Sequence, residues 1–190
     1  MRCILCEKLS FEAICKPCMT RLLNTERKNR VLDNGLKVYS FFDYSSTAPI
    51  LHVKHYFWGH RVLKQIAKQT FGQFAQTFSF TEKVSAIGID DAPHSGYSHT
   101  AILTKALKSA SITPVYGVLR ATNNVKYSSQ SYDFRRKHLR NFLVHPKGIK
   151  YAILVDDIIT SGLTLKEASE CLKKNGINVL FALTLADAKE

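Results

Sequence analysis

From residue 36 onward, short apolar runs alternate with longer stretches in which apolar positions recur at helical spacing. Residues 36–42, rich in β-branched and aromatic side chains, predict a strand. Over 59–76, Val62, Leu63, Ile66, Ala67 and Phe74 share one face while Arg61, Lys64 and Lys68 lie off it, which predicts a basic amphipathic helix. Residues 84–89 predict a buried strand; a loop over 90–96 then leads into a helix carrying Ile102, Leu103, Ala106 and Leu107, and 112–119 predicts the next strand. Residues 120–148 break the pattern, being polar, basic and aromatic, as in a functional loop or lid. The last elements are the clearest: an apolar strand over 151–155, a helix over 164–175 and a strand over 177–185, forming a β-α-β unit. Such alternation predicts an α/β fold, a parallel sheet with helices on both faces whose ligands bind at the carboxyl ends of the strands. The loop after Val155 therefore belongs to the ligand crevice.

The first 25 residues lie outside this pattern and carry Cys3-x-x-Cys6, eight residues, then Cys15-x-x-Cys18. Two such knuckles let four thiolates converge on one zinc in a closed, structural site. Two disulfides are the alternative for this spacing, disfavoured in a reducing compartment. A segment this short folds only with its metal, because it cannot bury enough apolar surface alone. Residues 1–25 are thus expected to form a four-cysteine zinc finger, residues 27–30 a charged link, and 31–190 the main domain. Cys171, beside Leu172 at helical spacing from Ala168, reads as a small buried hydrophobe.

Charge narrows the partners. A net charge of +12 with a pI near 9.6 favours phosphate-bearing ligands: nucleic acid, a phosphorylated small molecule or an anionic membrane surface. No apolar stretch approaches the roughly 18 residues needed to span a bilayer, and cysteines and charges stand where a signal peptide has its apolar core. A cytoplasmic location is the expectation.

The chemistry concentrates in Asp156, Asp157, Ile158, Ile159, Thr160, Ser161, Gly162, Leu163 and Thr164, where a strand ends in two carboxylates and runs through a Thr-Ser-Gly turn into a helix. The helix start offers backbone N–H groups and a positive dipole end, Gly162 permits close approach, and the hydroxyls of Thr160, Ser161 and Thr164 can donate around a monophosphate. Thr164 and Glu167 are spaced as a capping box. Asp156 and Asp157 suit a ribose diol, since ionised carboxylates accept hydroxyl hydrogen bonds.

The stretch Ile153 to Thr164 resembles the phosphoribosyl-pyrophosphate signature of type I phosphoribosyltransferases. Together with the four-cysteine finger, Lys54-His55-Tyr56 before Gly59, Gly96-Tyr97, Arg120, and Gln130 ahead of Asn141-Phe142, it resembles the ComF competence family. The resemblance implies a type I phosphoribosyltransferase-like sheet. It also implies that Asp156 and Asp157 bind ribose hydroxyls, that residues 160–164 bind the 5′-phosphate, and that magnesium accompanies phosphoribosyl pyrophosphate. It implies a role in handling single-stranded DNA during natural transformation, with DNA-translocation proteins as partners at the inner face of the membrane. A catalytically active phosphoribosyltransferase with an unidentified acceptor is the alternative. Segment 89–99 departs from the family's pattern, and Asp90 and Asp91 beside a pyrophosphate call for a metal ion.

Candidate nucleic-acid contacts are Lys54 and Arg61, flanking the aromatic run Tyr56-Phe57-Trp58, and the cluster Arg135, Arg136, Lys137 and Arg140. His94 and His99 flank the Gly96 turn, where a histidine can steady a pyrophosphate.

Overall fold

The computed structural model describes residues 1–89, 93, 96–122, 139–145 and 148–188. At its centre lies β7 (Tyr151–Ile159), whose apolar start is buried on both faces. Alternation sends Ile153 and Val155 into one core and Ala152 and Leu154 into the other. Around it a six-stranded sheet is ordered β1-β2-β8-β7-β3-β4, comprising β1 (Lys28–Val31), β2 (Lys37–Asp43), β3 (Val84–Gly88), β4 (Ile112–Val115) and β8 (Asn178–Asp187). Every pairing is parallel except β1 with β2 at the edge. The expected α/β fold with a mostly parallel sheet is therefore present.

One face packs against α2 (Tyr44–His52), α3 (Gly59–Gln69), α4 (Phe71–Thr77) and α5 (His99–Ala106). The other packs against α6 (Leu163–Lys174) and the hairpin of β5 (Leu119–Ala121) with β6 (Phe142–Val144). The cysteine segment, with α1 (Lys16–Leu23), joins the first core: Cys3, Ile14, Cys18, Met19 and Leu22 are buried in the same cluster as Phe42, Leu63 and Phe71. Gln65 of α3 fastens it, accepting from Ile14 N–H at 2.8 Å and donating to Ile14 O at 2.6 Å. Among the described residues no helix is long and apolar enough to cross a membrane.

Several boundaries differ from expectation. Residues 28–31 are an edge strand instead of a link, because their backbone pairs with β2 from Lys28↔Ser40 to Val31↔Lys37. The helix expected over 59–76 breaks at Thr70, whose hydroxyl bonds back to Ile66 O at 2.8 Å and whose backbone leaves the helical region. The strand expected over 112–119 divides at Gly117, whose φ of 65° turns the chain out of the main sheet. Most consequential, β7 continues past Val155 to Ile159, because β8 stays in register with it through Ile159↔Asp187.

Candidate functional site

At the carboxyl ends of β7 and β8 opens a crevice of about 580 Å³. The extension of β7 holds Asp156 and Asp157 on regular strand backbone, Asp156 opposite Thr184 of β8. Asp157 accepts from Lys54 Nζ at 2.7 Å, and His99 Nδ1 stands 3.9 Å from the same oxygen. Asp156 Oδ1 accepts from Asp157 N–H at 2.8 Å. Burial, then the neighbouring Asp157 carboxylate, push the Asp156 carboxyl up to about 8, against the opposing pull of the Asp157 N–H, Lys54 and Arg140. At neutral pH this acid is largely protonated and can donate a hydrogen bond. Its neighbour, held against an ammonium, is placed to accept one.

Lys54 reaches the crevice because its backbone is gripped from behind. Its carbonyl accepts from Tyr97 Oη at 2.5 Å and from His99 Nε2 at 2.8 Å. That bond puts the His99 proton on Nε2 in the neutral ring, and burial lowers its pKa against the attraction of Asp157. Gly59 makes the grip possible: a Cβ there would lie 2.0 Å from Val53 O and 2.6 Å from Tyr97 Oη. The tight turn of residues 53–59 is thus locked to the start of α5.

The loop between β7 and α6 is fixed from the opposite side. Arg30 of β1 donates to Thr160 O at 2.6 Å and, through its Nε, to Asp187 at 2.6 Å, with a second close contact between its Nη2 and Asp187. Gly162, at φ 79°, opens α6, and a Cβ there would strike Leu32 at 2.6 Å. Gly162 has no side chain with which to cap α6, and Leu163 N–H donates to Ser161 Oγ at 3.4 Å. The other N–H groups at the start of α6 and its positive dipole end, with Ser161 and Thr164, line the crevice as an anion cradle. The expected capping box is absent. Glu167 instead accepts from the N–H groups of Arg140 at 2.9 Å and Asn141 at 2.6 Å, two tertiary donors that win over the local one.

Of the candidate nucleic-acid residues, Arg140 lines the crevice and Arg61 is exposed on α3, whereas Lys54 is nearly buried in its ion pair with Asp157. Arg135, Arg136 and Lys137 lie outside the described residues, as do Gln130, Asp90, Asp91 and His94. Tyr56, Phe57 and Trp58 are exposed. Sequence reasoning missed Arg30, Tyr97 as an anchor, and the second duty of Glu167.

At the N-terminus the ligand atoms of Cys3, Cys6, Cys15 and Cys18 all lie within 4.8 Å of one another, and the Cys6 and Cys15 sulfurs are 3.7 Å apart. A tetrahedral zinc with bonds near 2.3 Å needs sulfurs about 3.8 Å apart, so the thiols are placed to hold such a metal. None of them is in a disulfide. Burial raises the Cys3 thiol, but N–H groups of Cys15, Leu5 and Cys6 outweigh it and bring it down to about 6. Burial and the other three thiols push Cys18 up to about 12.

No family model and no curated protein matches the chain. Among solved structures it is similar to a hypoxanthine phosphoribosyltransferase from Staphylococcus aureus, with 17% identity over 66% of this chain and a TM-score of 0.40. The match spans 62% of that enzyme's length. It is also similar to orotate phosphoribosyltransferase from Aeropyrum pernix, with 19% identity, a TM-score of 0.40, and 90% and 80% of the two chains covered. An adenine phosphoribosyltransferase shares 14% identity at a TM-score of 0.40, covering 90% of this chain and 98% of that one. Likenesses this remote identify neither a ligand nor a reaction.

Proposed function

We propose that the crevice binds phosphoribosyl pyrophosphate. One observation carries this reading: two adjacent aspartates near the end of a parallel strand share a crevice with the start of a helix opened by a left-handed glycine. The cradle of residues 160–164 takes the 5′-phosphate, and Asp156 and Asp157 take the ribose hydroxyls. Lys54 and Arg140 supply positive charge on the pyrophosphate side, and His99, whose one ring N–H is engaged by Lys54 O, holds Lys54 in place. The carboxylate of Asp157, and that of Asp156 once it releases its proton, offer hard oxygens that suit magnesium, which would enter with the ligand and offset the pyrophosphate charge. In the enzyme form of this reading an acceptor nitrogen attacks C1′ and pyrophosphate leaves. Zinc is the proposed occupant of the four-cysteine cluster, in a structural role.

The test is thermal unfolding with and without phosphoribosyl pyrophosphate and magnesium. At a hundredfold excess over Kd a ligand of the folded state adds about 2.7 kcal/mol, roughly 5 to 10 °C in Tm for a chain of this size. Asp157→Ala is expected to lose that rise. No rise in the wild type at saturating ligand sinks the proposal.

A second reading, handling of single-stranded DNA during natural transformation, rests on a different observation. Tyr56 and Trp58 are stacked at 5.7 Å and 14°, Phe57 is 78% exposed beside them, and Arg61 follows on α3. Exposed rings with interleaved cations suit base stacking. In this reading the protein works in the cytoplasm, peripheral to the inner membrane, with DNA-translocation proteins as partners. Affinity for an oligonucleotide that falls steeply with salt and weakens in Phe57→Ala supports it; salt-insensitive or absent binding removes it.

A further inference from the structure

We propose that the groove between α3, α4 and α5 is a docking site for an acidic segment of a partner protein, presented as a short amphipathic helix. The groove, about 590 Å³, is as roomy as the ligand crevice and shares no lining residue with it. Its rim carries Lys64, Lys68, Lys105 and Lys108, all exposed, and none is ion-paired with a described residue. Elsewhere on the surface, lysines do find acids: Lys28 meets Glu26, Lys150 meets Glu82 and Lys166 meets Asp33. None of the three helices around the groove contains an aspartate or glutamate. Four like charges gathered without a compensating acid repel one another, so the groove is complementary to a negative partner.

The floor decides what kind of anion fits. Ala67, Gly72, Ile102 and Ala106 form a small, apolar trough. Gly72 stands within ordinary contact distance of both neighbouring helices, a Cβ there lying 3.6 Å from Ala67 O and 3.7 Å from Ala106 O, so its missing side chain deepens the trough. A trough of methyl and methylene groups receives the apolar stripe of a helix, while lysines along both rims meet acids on its flanks. Gln73 and Gln76, exposed at the edge, can bond further polar groups. Nucleic acid fits less well, because the lining holds no arginine and no aromatic ring for stacking, and its apolar floor gives phosphates nothing. A membrane surface does not enter a concave groove. The N-terminal end of α5 supplies His99 and Thr100 to the crevice while its later turns face the groove, so a docked partner leaves the crevice open.

The test measures binding to the full chain by fluorescence anisotropy. The probes are a labelled alanine-rich helical peptide with glutamates at i, i+4 spacing, a thymidine oligonucleotide and vesicles rich in anionic lipid. Lys68→Glu with Lys105→Glu is compared with Lys173→Glu and Lys174→Glu, which change the net charge equally at the far end of α6. The expected result is a loss of about tenfold or more in peptide affinity for the groove pair and under about threefold for the control pair. Oligonucleotide affinity is expected to change equally in both. Lys68→Gln with Lys105→Gln, which removes charge without reversing it, is expected to lose about threefold and keeps the test intact if the reversal misfolds. Equal peptide losses in the groove and control pairs would overturn the proposal. So would absence of peptide binding at low salt, or a groove-specific loss of oligonucleotide or vesicle binding with peptide binding unchanged.

Discussion

The four thiols of the N-terminal segment and the polar groups of the crevice are both convergent clusters, but they are assembled on different scales. The thiols come from sixteen consecutive residues, and their sulfurs form a complete donor set with no acceptor left over. The crevice draws Lys54 to Asp157 across 103 positions, with Arg30 tied to Asp187 across 157 behind it, and the start of α6 faces the opening. A closed set of soft donors holds a fold together. An open set of mixed charge, with one carboxyl kept protonated by its surroundings, is arranged to receive something.

The comparison breaks most visibly at the cysteines. Cys3→Ser with Cys18→Ser removes half the cluster from the core shared with Phe42 and Leu63. A loss of about 4 kcal/mol, roughly 10 °C in Tm, is expected by calorimetry as one cooperative transition. An unchanged main transition beside a lost small one would show that the segment folds apart from the sheet. Next in size is Arg30→Met, which takes the guanidinium from the buried Asp187 and from Thr160 O; about 3 kcal/mol is expected in a denaturant titration. Adding Asp187→Leu is expected to recover most of that stability but not phosphoribosyl-pyrophosphate affinity, because the loop stays untethered.

Asp156 offers a smaller effect with a defined sign. Its carboxyl is raised to about 8 in the folded chain, so the unfolded chain gives up the proton first. Ligand-free stability should therefore fall as pH rises from about 4 to about 8 and level off above that. Asp156→Asn removes the slope, matching wild type near pH 4 and exceeding it by a growing margin as the pH rises toward 8. Parallel wild-type and variant stability curves across this window would count against a protonated Asp156. Smallest of all is Trp58→Ala: the ring is 46% exposed, and a change in stability under about 0.5 kcal/mol is expected in the same titration.

Much of this was legible in the chain. The apolar run of β7, the glycine that opens α6 and the paired Cys-x-x-Cys knuckles are patterns among near neighbours, and each is found where spacing places it. Legibility failed where a long-range partner intervened. Glu167 has capping-box spacing from Thr164, yet the N–H groups of Arg140 and Asn141 take it. Residues 27–30 are as charged as any linker, yet three of them join the sheet edge.

By itself, then, the sequence determined the alternating α/β order, the thiol cluster and the position of the loop between β7 and α6, because periodicity and short spacing report what lies beside each residue along the chain. Only the tertiary structure decided that Lys54 serves Asp157, that Arg30 tethers the loop and that four lysines rim one groove. Those contacts follow from the strand order β1-β2-β8-β7-β3-β4 and from which helix faces meet. Strand order and helix packing bring together residues far apart in the chain, where short-range spacing carries no information.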